Sequence, residues 1–184
     1  MGKVREVSPA ALIAGITFSD SNLLSQVLKS LEDDFGPIEI KSPYFDFTMT
    51  DYYTSEMGVD LKKFFCCFKN LIEPGTLPDI KLRTNDIELR FAKCDEENPF
   101  RTVNIDPGYV TLSKLVLAST KDYSHRIFIG KGIYAETTLR FMYGSFVPID
   151  TTYPDYKMPL AIDFFNTVRD FVKRNKNKWT QKKD

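Results

Sequence analysis

His125, Arg126 and Glu136 bring an imidazole, a guanidinium and a carboxylate into one stretch of alternating polar and apolar residues, the pattern in this sequence best suited to binding or proton transfer. Two runs, Arg126 to Ile129 and Ile133 to Met142, flank Gly130-Lys131-Gly132 and predict a β-hairpin with a three-residue loop. With Ile129 opposite Ile133, Phe128 faces Tyr134 and Arg126 faces Glu136, while Ile127, Ile133, Ala135, Leu139 and Phe141 turn to the core. Lys121, Arg126 and Arg140, with Asn104 and Tyr134 nearby, would hold a phosphate or carboxylate. His125 and Glu136 would exchange protons, and Asp106 would act in catalysis or bind a divalent metal such as magnesium. The same alternation also describes a solvated sheet face with an ordinary ion pair, and Asp106 before Pro107-Gly108 also suits a turn cap.

A second polar group, Thr48, Thr50, Asp51, Tyr52, Tyr53 and Glu56, is echoed by Asp150, Thr151, Thr152, Tyr153, Asp155 and Tyr156. Tyrosines and carboxylates at strand ends can line a crevice or cover a core. Lys81, Asn85 and Glu88 would join a site if their segment is a strand. The basic tail around Trp179 gives an alternative reading, a non-enzymatic adaptor binding protein or RNA through Tyr-rich strand ends and that tail. Phosphate-loop, dinucleotide-binding and C-x-x-C motifs are missing, and a single histidine excludes zinc sites built on several imidazoles.

The elements that must position these residues follow from periodicity. Ala11 to Phe18 reads as a strand buried on both faces, and a helix capped by Ser19 or Asp20 runs to Phe35, stopped by Gly36-Pro37. Ile38 to Met49 is extended and completes a β-α-β unit. Leu61, Phe64, Phe65, Phe68, Leu71 and Ile72 recur at helical spacing, which would place Cys66 and Cys67 in a helix. Asp79 to Phe91 reads as a strand, Thr102 to Asp106 as another ending in a turn at Pro107-Gly108, and Leu112 to Ser119 as a short helix. A last helix begins near Pro159, and the tail frays beyond Lys173. Tyr53, Met57, Phe64, Phe65 and Phe68 recur as Tyr153, Met158, Phe164, Phe165 and Val168, which suggests an internal pseudo-repeat.

The strings NIDPGY, KLVLASTKDYSHRIFIGKGIYAE, TYPDY and TDYYTSEMG resemble an uncharacterised prokaryotic family, domain of unknown function 4416, over almost the whole chain. The resemblance implies no mechanism.

At 184 residues and 42% hydrophobic content, residues 1–184 are expected to form one α+β domain. Its expected plan is a central mixed or antiparallel sheet of about five to seven strands with helices mainly on one face. Basic and acidic residues balance at 25 each, so nucleic acid is not attracted by bulk charge. Three cysteines and no long apolar run predict a cytoplasmic protein without a membrane span. The expected partner is a small anionic ligand, and self-association into a homo-oligomer stays open.

Overall fold

A computed structural model describes residues 2–4, 6–49, 57–95 and 98–180. Among the described residues the expected α+β architecture is present as a nine-stranded sheet whose neighbours are all antiparallel, with three helices packed on it. Strands β1 (Ala10–Phe18), β2 (Ile38–Lys41), β3 (Phe45–Asp46), β4 (Lys62–Ile72), β7 (Val103–Val110), β8 (Lys114–Ser119), β9 (Ile127–Gly130), β10 (Ile133–Met142) and β11 (Ser145–Pro148) build it, while β5 (Lys93–Asp95) and β6 (Asn98–Phe100) pair separately. The order is β11-β10-β8-β7-β1-β4-β2, with β3 beside β4 and β9 beside β10.

Helix α1 (Ser21–Phe35) starts where Asp20 accepts a hydrogen bond from the Asn22 amide, which satisfies a first-turn donor. Its Leu24, Val27 and Leu31 pack on Leu12, Ala14 and Ile16 of β1. Helix α2 (Leu77–Arg90) adds Ile80 and Ile87 to that face. Helix α3 (Pro159–Thr180) covers the opposite face, setting Phe164, Phe165, Val168 and Val172 against Ala11, Ile13, Phe65 and Cys67. Two helices thus share one face and the longest has the other. Each buried phenylalanine contributes roughly 1.5–3 kcal/mol.

Several local expectations change. Residues 62–72 form the strand β4, because Phe64 to Phe68 is apolar at every position and each face of a central strand needs apolar cover. Cys66 and Cys67 therefore point to opposite faces, into different cores, and burial pushes the Cys66 thiol up to about 12. Residues 77–90 are helical, since Pro78 suits a first turn and the remaining residues are mostly good helix formers. Lys114 to Ser119 is the strand β8. The pseudo-repeat is not confirmed, because Phe64 to Phe68 lie on a strand whereas Phe164 to Val168 lie on a helix. Tyr53 lies outside the described residues. Helix α3 continues through Thr180, so Lys173 to Lys178 are helical.

A further change creates the site. Pro107-Gly108 is no turn; β7 runs straight through it. Side chains of α2 bond the backbone of Ile105, so alternation aims the nitrogens of Ile105, Pro107 and Tyr109 toward β8. Proline has no proton to donate there, and the β7–β8 ladder spans only Gly108 to Val110. Below it the strands diverge, and the sheet forks.

At the crotch of the fork β8 comes very close: a Cβ on Gly108 would lie 2.3 Å from the Val116 carbonyl oxygen and 2.7 Å from a Leu117 methyl. The Gly108→Ala variant should lose about 1–3 kcal/mol in urea unfolding as β8 is forced outward; an unchanged midpoint would mean that the strands can separate freely.

Candidate functional site

The space left by the fork is a cavity of about 750 Å³, within the range of small-molecule sites. Helix α2 supplies Lys81, Asn85, Glu88 and Leu89; β7 supplies Asn104 and Asp106; β8 and the following loop supply Leu117 to Lys121 and Tyr123. Arg126, Glu136 and the segment Tyr153 to Tyr156 close another wall, and Phe47, Met49, Lys63 and Arg101 complete the lining.

Where β8 is missing, α2 takes over its hydrogen bonds. Glu88 Oε1 accepts from the Ile105 amide at 2.6 Å, and Lys81 Nζ donates to the Ile105 carbonyl at 3.0 Å. The spacing i, i+4, i+7 puts Lys81, Asn85 and Glu88 on one helical face. Burial raises the Glu88 carboxyl above its ordinary value, opposed by Lys81, the Ile105 amide and Arg101, whose Nη1 lies 3.4 Å from Glu88 Oε2. Lys81 is 7% exposed and joins none of the ion pairs among the described residues; its hydrogen-bond acceptor is a neutral carbonyl.

Across β7 lies a second cluster. Lys63 Nζ is 2.8 Å from Asp155 Oδ2 and 3.3 Å from Asp106 Oδ2, among the rings of Phe47, Phe65 and Tyr156. Burial works against the ammonium, yet the two carboxylates hold Lys63 above its usual value. Burial likewise works against ionising Asp106, but Lys63, Lys81 and Asn104 hold its carboxyl below the usual range. Gly15 makes room for this cluster, since a Cβ there would stand 2.7 Å from the Tyr156 hydroxyl and 3.1 Å from Lys63 Cε.

A third cluster comes from the hairpin, where Phe128 pairs with Tyr134 as expected, while Ile133 pairs with Gly130 rather than Ile129 because the register shifts between Ile133 and Tyr134. Arg126 Nε donates to Glu136 Oε2 at 2.8 Å, its Nη1 to Ser119 Oγ and the Lys121 carbonyl, and its Nη2 to the Tyr153 hydroxyl. The guanidinium is largely committed to protein acceptors, with Tyr123 stacked 4.6 Å away. His125 Nε2 lies 2.8 Å from the same Glu136 oxygen but does not line the cavity.

Of the residues expected to act together, Asn104, Asp106, Lys121, Arg126 and Glu136 converge on the cavity. Tyr134 packs on Phe128 instead. Arg140 is exposed: the bulge between Thr137 and Leu139 reverses the alternation and sends it to the other face from Glu136. The same bulge puts Ile133 and Leu139 in different cores, and Ile127 is 73% exposed. The face carrying Glu136 and Thr138 is buried, not solvated, because the turn before α3 covers it. Among the described residues no three carboxylates, thiols or imidazoles gather to hold a metal; between Asp106 and Asp155 sits the Lys63 ammonium. Of the two tyrosine-rich segments, Thr50 to Glu56 lie outside the described residues, while Asp155 and Tyr156 are buried and Tyr153 borders the cavity.

Lys63, Lys81, Glu88 and Asp155 carry much of the site's charge. The legible signal was the polar stripe at positions 81, 85 and 88, which becomes a buried helical face once the segment is read as a helix.

Fold and cleft together define an antiparallel α+β domain with a ligand-sized cavity in a split sheet. The chain belongs to the family described as domain of unknown function (DUF4416), whose model matches residues 8–171. No curated protein matches it. No helix among the described residues is long and apolar enough to cross a membrane.

Lys63 contributes stability at every pH below its raised value, and Asp106 does so above about pH 3.9. Lys63→Met should therefore cost about 3–5 kcal/mol at pH 7 by stranding two carboxylates. The deficit should narrow as pH falls toward 4 and those carboxylates take up protons. Urea unfolding between pH 4 and 8 measures it; a deficit independent of pH would reduce the role of Lys63 to packing.

Proposed function

We propose that the forked sheet binds a small organic anion, a phosphate ester or a carboxylate, with Lys81 as its principal counter-charge. The observation that carries this reading is a buried ammonium on the cavity wall whose hydrogen-bond acceptor among the described residues is the uncharged Ile105 carbonyl. Taking an ammonium out of water is costly unless it is paired, and a lysine has three protons to place. Glu88 and Asp106 act on this charge without taking a hydrogen bond from it, and an anion entering the cavity would supply a direct charged acceptor.

In this reading Lys121 assists at the mouth. Arg126 fixes Glu136, and the Glu136–His125 pair is where a proton could be exchanged with the ligand. An adaptor role has less support, because the tyrosines of the segment before α3 are buried or face the cavity rather than forming a flat patch. The two buried, unlinked thiols suit a reducing compartment, and we place the protein in the cytoplasm.

A thermal-shift screen against phosphate esters and small carboxylates tests the proposal. At a ligand concentration about a hundred times Kd, binding adds about 2.7 kcal/mol, which for a domain of this size raises Tm by about 5 °C or more. Lys81→Met, which keeps the length of the side chain and removes its charge, should fold and lose the shift. A panel with no shift, or an equal shift in the variant, would sink the reading.

A further inference from the structure

We infer that the ligand of this cavity carries a hydroxyl or another hydrogen-bond donor a few bonds from its anionic group, and that Asp106 is the acceptor that recognises it; the inference rests on the anion-binding reading above. Within the Lys63 cluster the three charged groups are not equally reachable. Lys63 and Asp155 are 3% and 5% exposed, whereas Asp106 is 28% exposed and lines the cavity. Lys63 also lines the cavity, but its ammonium is already held between two carboxylates and among three aromatic rings. It acts as a positioning residue for Asp106.

A carboxylate offers about four lone-pair sites, and one Asp106 oxygen meets Lys63, so acceptor capacity remains on the cavity side. A second anion is repelled there. Whatever covers Asp106 must donate a hydrogen bond, or it strips the carboxylate of water without replacing it. The anion and the donor must also be close together. Lys81 is anchored on the carbonyl of Ile105, Asp106 is the next residue, both line the cavity, and the Lys81 charge acts on the Asp106 carboxyl. A compact, hydroxylated or aminated phosphate or carboxylate fits that juxtaposition.

Two pairs of probes separate the chemistries: glycerol 3-phosphate against n-propyl phosphate, and glycerate against propionate, with affinities measured by calorimetry on the full chain. In at least one pair the hydroxylated member should bind about tenfold or more tightly, the effect of a hydrogen bond to a charged acceptor. The pair that binds identifies the anion. In Asp106→Asn the preference should fall to within about threefold. As a control independent of that variant's folding, the di-O-methyl ether of glycerol 3-phosphate, or of glycerate if that pair binds, keeps the oxygens but has no donor. It should bind no better than the plain anion. Equal affinities within each pair in the wild type, an ether as good as the diol, or a preference that survives Asp106→Asn would overturn the donor inference and leave anion binding standing. Failure of all four probes to bind would overturn both.

Discussion

Strand β7 loses its neighbour halfway along, and the rest of the cavity depends on how that loss is made good. A backbone amide and carbonyl inside a protein must find partners, and beyond Gly108 the strand β8 no longer provides them. Glu88 and Lys81, two side chains of α2, bond the exposed edge at Ile105. A carboxylate for the N–H and an ammonium for the C=O replace one rung of a ladder with two charged side chains. That substitution keeps the sheet open without leaving buried backbone groups orphaned, and it draws charge to the floor of the opening.

The charges around the cavity form local groups that hold one another in place. Lys63 lies between Asp106 and Asp155, Arg126 is spread over Glu136, Ser119, Tyr153 and a carbonyl, and Arg101 meets Glu88. Such pairs add little net stability once desolvation is counted, but they fix geometry, because each is surrounded by partners that match only one arrangement. Lys81 differs in that its hydrogen-bond acceptor among the described residues is a neutral oxygen, although its charge acts on Glu88 and Asp106.

Much of the outer architecture was legible in the residues. Helix α1 announced itself through Asp20, the Leu24–Val27–Leu31 spacing and Gly36, whose φ of +88° a side chain would strain. The hairpin was readable from Gly130-Lys131-Gly132, and with it the meeting of Arg126 and Glu136. Strand β4 was misread because Phe64, Phe65 and Phe68 satisfy a helical spacing and a doubly buried strand alike, and only the strands on either side decide between them. Helix α2 was misread because Ile87, Leu89 and Phe91 alternate by chance.

The sequence by itself determined the mixed α+β composition, the hairpin and the presence of Asn104, Asp106, Lys121, Arg126 and Glu136 in one polar region, since these depend on residue type and short spacings. Tertiary structure alone decided that β7 and β8 would separate at Pro107, that a bulge near Thr138 would turn Arg140 away, and that Lys63, Lys81, Glu88 and Asp155 would come together. Those four residues are scattered over 93 positions of the chain, from 63 to 155 inclusive. No local periodicity encodes their meeting, because it comes from long-range strand pairing and from helices on both faces of the sheet.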